Sequence, residues 1–189
     1  LSHQAGYLKA NAHLKNTRLA AVSALLADVY DKQILSILYP RLHQLTKNNE
    51  VLANRKLSFH SLNWAALPGK NLTKDFDLPL SPHCHGYLDQ AQLVESDKNG
   101  YQLRGWAVDK ATTKAADIVV LATEGHSVVG IAFAGRPRAD VRQHYPNAID
   151  SGWFGHAKVK PGQTIKAYAL VNDNRSICLL RGNFSRADE

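Results

Sequence analysis

The sequence predicts an α+β protein of two parts, an N-terminal helical hairpin followed by an antiparallel two-sheet β-sandwich. Apolar residues recur at intervals of three and four in the first part, and at every second position in the last part. Prolines and glycines interrupt both patterns between them. We therefore expect a hairpin over residues 1–62, a linker over 63–82 and a β-sandwich over 83–183.

The hairpin is predicted from one apolar stripe. Its first helix carries inward residues with helical spacing: Leu8, Ala12, Leu19, Val22, Leu25 or Leu26, and Val29. The stripe continues to Leu38, and Pro40 then ends this helix or opens the next. A second helix places Leu42, Leu45 and Leu52 inward. Two helices bury little surface alone, so we expect the hairpin to pack on the rest of the chain or on a partner.

The β-sandwich is predicted from seven short segments in which apolar and polar residues alternate. They are "GYLDQAQLVE", "YQLRGWAV", "ADIVVLAT", "HSVVGIAFA", "GHAKVK", "TIKAYAL" and "SICLLRG". Turn signals such as "SDKNG", "TEG", "KPGQ" and "VNDN" lie between them. Short strands joined by such turns are typical of two antiparallel sheets packed face to face.

Composition excludes some classes of function. The 189 residues carry a net charge of +7, but the basic residues are mixed with acids and form no run, which argues against nucleic-acid binding. Attraction to an anionic membrane surface or an acidic glycan stays open. No apolar run is long enough to span a bilayer. The chain starts at Leu1 and contains no methionine, so we expect it to be a piece of a longer polypeptide.

Two tryptophans and two aspartates are candidate site residues. Trp106 follows Gly105 in a strand, which favours a core anchor beside a closely approaching backbone; a sugar-stacking platform is the alternative. Trp153 lies in the loop-like "DSGWFGH", where one ring of the Trp-Phe pair can face inward and the other solvent, so Trp153 is a candidate ligand-binding residue and a buried ring is the alternative. Asp89 and Asp109 precede turns and are expected to accept backbone N–H groups, although a carboxylate pair could instead serve glycoside hydrolysis.

The phrase "GRPRADVRQHYP" is the most charged part of the chain. Arg138 and Asp140 are two residues apart, which favours an ion pair that clasps the loop. The alternative is an anion site for an anionic sugar or a lipid phosphate. That site would be built from Arg136, Arg138, Asp140, Arg142 and His144.

The remaining motifs indicate neither a metal nor a cofactor. His83 and His85 share one face of a strand and leave Cys84 on the other, and no further ligand motif completes a zinc site. No nucleophile elbow, P-loop or dinucleotide fingerprint occurs. Cys84 and Cys178 lie near the two ends of the strand-rich region. They would be thiols in a cytosolic protein, or a disulfide between the first and last strands in an exported one.

Short motifs along the chain resemble a known module. Gly86, Leu88 and Asp89 fit its G-x-[IL]-D pattern, and "GWAVD", "RADV" and "GW" follow in its order. These residues resemble the β-sandwich module of bacterial envelope proteins, which occurs beside glycosyltransferases and at the C-terminus of polytopic membrane proteins of cell-surface polysaccharide assembly. The helical segment before that module has counterparts here in Asp31, Leu38, Tyr39, Pro40, Leu57, Ser58 and Phe59.

The resemblance implies a place and a function. The chain would be the C-terminal extracytoplasmic region of such a membrane protein, on the periplasmic face of the bacterial inner membrane. The oxidising periplasm then predicts a Cys84–Cys178 disulfide. We expect a non-catalytic carbohydrate-binding-like or interaction module, with a glycan or anionic lipid-linked sugar and the parent's membrane domain as partners. A purely structural or oligomerisation domain is the alternative, and a periplasmic hydrolase using Asp and His residues is the third possibility.

Overall fold

The computed structural model describes residues 2–38, 41–54, 63–76 and 78–188. Three helices come first, followed by a short 3₁₀ helix: α1 (Ser2–Leu26), α2 (Lys32–Leu38), α3 (Leu42–Asn54) and Asn63–Ala66. The strands and one short helix follow: β1 (Cys84–Val94), β2 (Asp97–Asp109), β3 (Lys114–Ala115), β4 (Ile118–Thr123), β5 (Val128–Arg136), α4 (Ala139–Arg142), β6 (Gly152–Lys158), β7 (Thr164–Val171), β8 (Ser176–Leu179) and β9 (Phe184–Ser185). The resemblance also rests on residues outside the described ones: Tyr39, Pro40, Leu57, Ser58 and Phe59.

The first predicted helix is in fact two helices. α1 ends at Leu26 and α2 begins at Lys32, so the expectation of one helix to Leu38 is wrong. Asp28 has φ +52°, a left-handed conformation that a continuing α-helix does not allow. The Asp31 side chain then accepts a hydrogen bond of 3.1 Å from the backbone N–H of Ile34, which caps α2. The apolar stripe continues across this break and therefore did not reveal it. None of the described helices is long and apolar enough to cross a membrane.

All nine described strands belong to one antiparallel sheet that curls on itself. Its order is β1-β2-β6-β5-β4-β7-β8, with β3 paired to β2 and β9 paired to β7. The predicted order of helices followed by antiparallel strands is confirmed, but the strands form one continuous sheet instead of two separate ones. Alternation shows which residues share a face of a strand; it does not show which strands pair. Here β2 pairs with β6, and β4 with β7, across long stretches of sequence.

The two edge strands of the curled sheet, β1 and β8, come together along a seam. The predicted disulfide is confirmed: Cys84 on β1 and Cys178 on β8 are bonded, with their Cα atoms 6.0 Å apart. Just beyond β8, the backbone N–H of Arg181 donates to the Gly86 carbonyl at 3.1 Å, and the Leu88 N–H donates to the Arg181 carbonyl at 2.9 Å. Backbone groups that an open edge would leave unpaired are therefore satisfied at the seam.

The inside of the curl is an apolar core. Its largest fully buried members are Leu103, Leu121, Trp153 and Ile165. Small residues fill the space between them, and they include Ala107, Ala132, Ala157, Ala167 and Ala169.

The outer face of β4, β5 and β7 is also covered. Leu19, Val22 and Leu26 of α1 pack there, and so do Leu67 and Leu72. The last two belong to the predicted linker, so that stretch packs on the sheet. Helix and sheet share this core, which supplies the packing surface that an isolated hairpin lacks.

Buried hydrogen bonds fix α1 to the sheet. The Ser23 hydroxyl donates to the Ile131 carbonyl at 2.5 Å and accepts from the His156 backbone N–H at 2.7 Å. The side-chain amide of Asn16 donates to the Gly135 carbonyl at 2.9 Å. The helix is thus attached along β5 and β6 by polar as well as apolar contacts.

Candidate functional site

A cleft opens on the outer face of β1 and β2. Its volume is about 400 Å³, and its described lining residues are His85, Trp106, Asp140, Val141, His144 and Tyr145. The first two come from adjacent strands, and the other four from α4 and the turn after it. Half-buried aromatic rings with polar groups around them are typical of small-ligand sites.

The register of β1 and β2 brings the strand residues of the cleft together. Tyr87 lies opposite Trp106, and His85 lies opposite Val108. Paired residues of an antiparallel sheet point to the same face, so these four side chains share the outer face. The ring centroids of His85 and Trp106 are 4.9 Å apart, and the rings meet edge to face.

The segment around α4 is held over the outer face by a small core of its own. Val141 and Ala148 are buried against Val108, with Trp106 and Tyr145 packed beside them. The apolar residues in "RADVRQHYPNA" therefore have a packing role in an otherwise charged phrase. This packing fixes the far wall of the cleft.

A hydrogen bond between Tyr145 and His85 joins the two walls of the cleft. The hydroxyl of Tyr145 lies 3.1 Å from His85 Nδ1, a hydrogen bond whose direction depends on the tautomer of the histidine. Burial lowers the pKa of His85, and the positive charges of Arg181, Lys110 and His144 lower it further. His85 is therefore a neutral imidazole near pH 7, able both to donate and to accept a hydrogen bond.

Arg138 forms the ion pair with Asp140 that the sequence favoured over an anion site, and we call this pair with Asp89 the clasp. Its Nε and Nη2 atoms donate to the two carboxylate oxygens of Asp140 at 2.9 and 2.7 Å. Its Nη1 atom donates to Asp89 on β1 at 2.6 Å. The guanidinium carbon also lies 5.9 Å from the centre of the Trp106 ring. The clasp therefore ties the loop after β5 to β1 beside the cleft.

The clasp changes the charge that this loop can offer to a ligand. The hydrogen bond from Arg138 lowers the pKa of Asp140 to about 2, and the same bond raises the pKa of Arg138. Both groups stay ionised and neutralise each other over the physiological range, and Asp89 adds a further negative charge. A free anion would have to compete with two carboxylates for Arg138.

The other basic residues of the predicted anion site lie apart from the cleft lining, with one exception. Arg136 stacks over the Phe154 ring at 4.3 Å, and its pKa is lowered by burial and by Arg104. Arg142 is exposed and is not one of the described lining residues. His144 does line the cleft and is exposed. The structure thus brings together only His144 and the clasped Arg138–Asp140 pair.

The two tryptophans exchange the positions that the sequence indicated. Trp153 is 0% exposed and belongs to the inner core, so the binding role predicted for it is corrected. Trp106 is half-buried and lines the cleft. In the pairing of β2 with β6, Gly105 lies opposite Trp153, and Trp106 lies opposite Gly152. The Trp153 ring therefore lies beside Gly105 inside the curl, and the Trp106 ring lies beside Gly152 on the outer face.

Asp109 has the structural role that its position before a turn favours. It is buried, and its carboxylate accepts backbone N–H groups of Ala111 at 2.9 Å and Asn172 at 3.1 Å. It thus joins the turn after β2 to the turn after β7. The expectation for Asp89 is corrected: it lies inside β1 and not before a turn, and it accepts from the Arg138 side chain. Both carboxylates proposed for glycoside hydrolysis therefore already have partners.

A buried His–Asp pair lies away from this cleft, and sequence reasoning missed it. His156 Nε2 on β6 is 2.9 Å from Asp31 Oδ2, and Gln102 Nε2 donates to the same oxygen at 2.6 Å. Burial raises the pKa of Asp31, but hydrogen bonds from His156, Gln102 and Ile34 outweigh it, and the net pKa is lowered. The sequence signalled this pair only through His156, a polar residue at an outward position of an apolar strand. A residue in such a position is usually on the surface.

This pair lacks the geometry of a hydrolytic triad. The nearby Ser23 hydroxyl is bonded to the backbone of His156 and Ile131, so it is not aligned with the imidazole. Among the described residues, no group of three His, Cys, Asp or Glu side chains could hold a metal ion. Cys84 of the "HCH" triplet is engaged in the disulfide.

Comparisons of the chain with protein-family models, with curated proteins and with solved structures give no match.

Proposed function

We propose that the chain is a non-catalytic, extracytoplasmic carbohydrate-binding module, and that the cleft at Trp106 is its sugar site. The observation that carries this proposal is the half-buried Trp106 ring in an open cleft beside His85, Tyr145 and His144. A flat aromatic ring stacks on the apolar face of a pyranose, while neighbouring imidazole and hydroxyl groups bond to its hydroxyls.

The rigidity of the cleft supports binding in preference to a lid-type catalytic site. The walls are joined by the Tyr145–His85 hydrogen bond and by the Arg138 clasp. A preformed site loses little conformational entropy when it binds a weakly held ligand such as a sugar. Among the described lining residues the carboxylate is that of Asp140, which is paired with Arg138, and Asp89 beside it is paired with the same guanidinium. Neither carboxylate is therefore a free acid or base for glycoside hydrolysis.

The proposed location rests on two separate supports. The Cys84–Cys178 disulfide is a feature of proteins from oxidising compartments. The motif resemblance points to the periplasmic face of the bacterial inner membrane, with a membrane-embedded, glycan-handling parent protein as the neighbour. On this proposal the module holds an envelope glycan close to that parent.

The proposal is tested by screening the folded protein on a glycan array and measuring hits by titration calorimetry. Replacing Trp106 with Ala should weaken a hit by about tenfold or more, since one stacked aromatic ring contributes on the order of 1–2 kcal/mol. Because Trp106 also packs, His144→Ala provides a second variant at an exposed position. Tyr30→Ala provides a control, because Tyr30 is exposed and is bonded to Asp97 at the other end of β2. The proposal is contradicted if no glycan on the array binds the folded protein, or if all three substitutions weaken binding equally.

A second candidate function is a purely structural or oligomerisation role. It is favoured by Leu179 on β8 and by Leu80, which is paired beside that strand; they are 50% and 70% exposed. Exposed apolar side chains on a sheet edge are typical of protein contacts. Sedimentation of the protein and of a Leu80→Lys variant tests this role: it requires self-association that the variant weakens.

A further inference from the structure

We infer that the cleft prefers an acidic sugar, and that Lys110 and Arg181 bind its acidic group. Neither residue belongs to the arginine-rich loop from which an anion site was predicted. The inference rests on the proposed sugar-binding function and names the chemical class of the ligand.

Backbone hydrogen bonds place the two basic residues on either side of His85. The Lys110 N–H donates to the His83 carbonyl at 2.9 Å. The Arg181 N–H donates to the Gly86 carbonyl at 3.1 Å. His83 and Gly86 flank the cleft residue His85 along β1, and both basic residues are exposed. Their main chains are therefore fixed on either side of His85, while their side chains are exposed to solvent.

Two cations lie near His85. Besides burial, the positive charges of Arg181 and Lys110 both lower the pKa of its imidazole. The acids beside the cleft, Asp89 and Asp140, share the one cation Arg138, so these three side chains keep one net negative charge on the Asp140 side of the cleft. Among the described residues, neither Lys110 nor Arg181 forms a salt bridge. This end of the cleft therefore attracts an anion, and its cations are not already occupied.

The Trp106 ring and the two cations together indicate an anionic group that is attached to a sugar. A free anion would not use the Trp106 ring, and a neutral sugar would not use the two cations. A pyranose stacked on Trp106 with an acidic substituent toward His85 uses both features. A carboxylate and a phosphate share this chemistry, and the experiment separates them.

The experiment measures affinity for two matched pairs of probes by titration calorimetry. The first pair is hexagalacturonate and its neutral methyl ester, and the second is glucose 1-phosphate and glucose. We expect the acidic member of at least one pair to bind about three- to tenfold more tightly, as for a partly exposed charge contact, and the preference to shrink as salt rises. A preference in the first pair identifies the carboxylate, and one in the second pair identifies the phosphate.

Three variants assign the effect to residues. Lys110→Gln and Arg181→Gln should each remove most of the acidic preference and leave the affinity for the neutral probe unchanged. Lys160→Gln is the matched control, because Lys160 is exposed and follows the end of β6 that lies farthest from the Trp106–Gly152 pair.

Equal affinity for acidic and neutral probes, or a preference that both variants retain, would overturn the inference while leaving the sugar site intact. If no probe binds and the glycan array is also empty, the proposed function fails together with the inference.

Discussion

His156 and Asp31 form a buried pair that joins the helices to the sheet. The ring nitrogen Nε2 lies 2.9 Å from Oδ2, and the two side chains are 0% and 2% exposed. Asp31 also caps α2 and accepts from Gln102, so one carboxylate organises three elements of the fold. A buried carboxylate with these partners is costly to remove, because its donors would be left unsatisfied.

Replacing Asp31 with Asn should lower the free energy of unfolding by about 2–4 kcal/mol, since the buried charge-assisted hydrogen bonds are lost. Asp28→Asn is the matched control: its carboxylate is 87% exposed and pairs with Lys158 at 2.5 Å. An exposed pair of this kind contributes at most about 1 kcal/mol. Urea unfolding measures both variants, and equal losses would argue against an organising role for Asp31.

The protein should lose stability in acid over a defined range. The pKa of Asp31 is lowered in the folded state, and that of Asp140 is lowered to about 2. A carboxyl group with a lowered folded pKa contributes stability that is present above its unfolded value, about 4, and that is lost as pH falls through the folded value. Unfolding free energies measured from pH 6 to pH 2 should therefore fall mainly below pH 4. In Asp31→Asn that fall should be shallower, and an unchanged slope would contradict the assignment.

The disulfide should be a major contribution to stability. Cys84 and Cys178 are separated by 94 positions, and closing a loop of this length contributes about 4–5 kcal/mol in the chain-entropy model. Paired Cys84→Ser and Cys178→Ser substitutions should lower the unfolding free energy by roughly that amount. Treatment of the unsubstituted protein with a reductant should reproduce the change, and should have no effect on the double variant.

Gly105 should tolerate no side chain. A Cβ atom there would collide with the Tyr87 carbonyl oxygen and would lie 2.6 Å from Cζ2 of Trp153. Neither neighbour can move without disturbing the β1–β2 pairing or the inner core. Gly105→Ala should therefore cost about 3 kcal/mol or abolish folding. Gly125→Ala is the control, because its nearest neighbour would be at 3.8 Å and the expected change is within about 0.5 kcal/mol. Similar thermal stability of the two variants would refute the close-packing argument.

The sequence was most informative where side-chain chemistry is local. All seven predicted strands occur, because alternation and turn residues act over a few positions. Two very short strands, β3 and β9, carried too few residues to show a pattern. Strand pairing depends on contacts between distant segments, so one curled sheet and two separate sheets share the same local signals.

The candidate site was only partly predictable for the same reason. Gly105-Trp106 and Gly152-Trp153 are similar pairs in sequence, and only the register of β2 against β6 decides which ring faces the core. His85, Trp106 and Tyr145 meet at the cleft from three separate segments. The Arg138–Asp140 pair could be anticipated because its members are two residues apart, whereas its third member, Asp89, lies 49 positions away.

The covalent link at the seam also bears on resistance to proteases. Every strand from β2 to β7 lies between Cys84 and Cys178, and so do the exposed turns most open to attack, such as residues 172–175. A single backbone cleavage anywhere in that interval leaves two fragments that are still joined through sulfur. The cut sheet therefore keeps its pieces at high effective concentration, and one nick does not separate the cleft from the rest of the molecule.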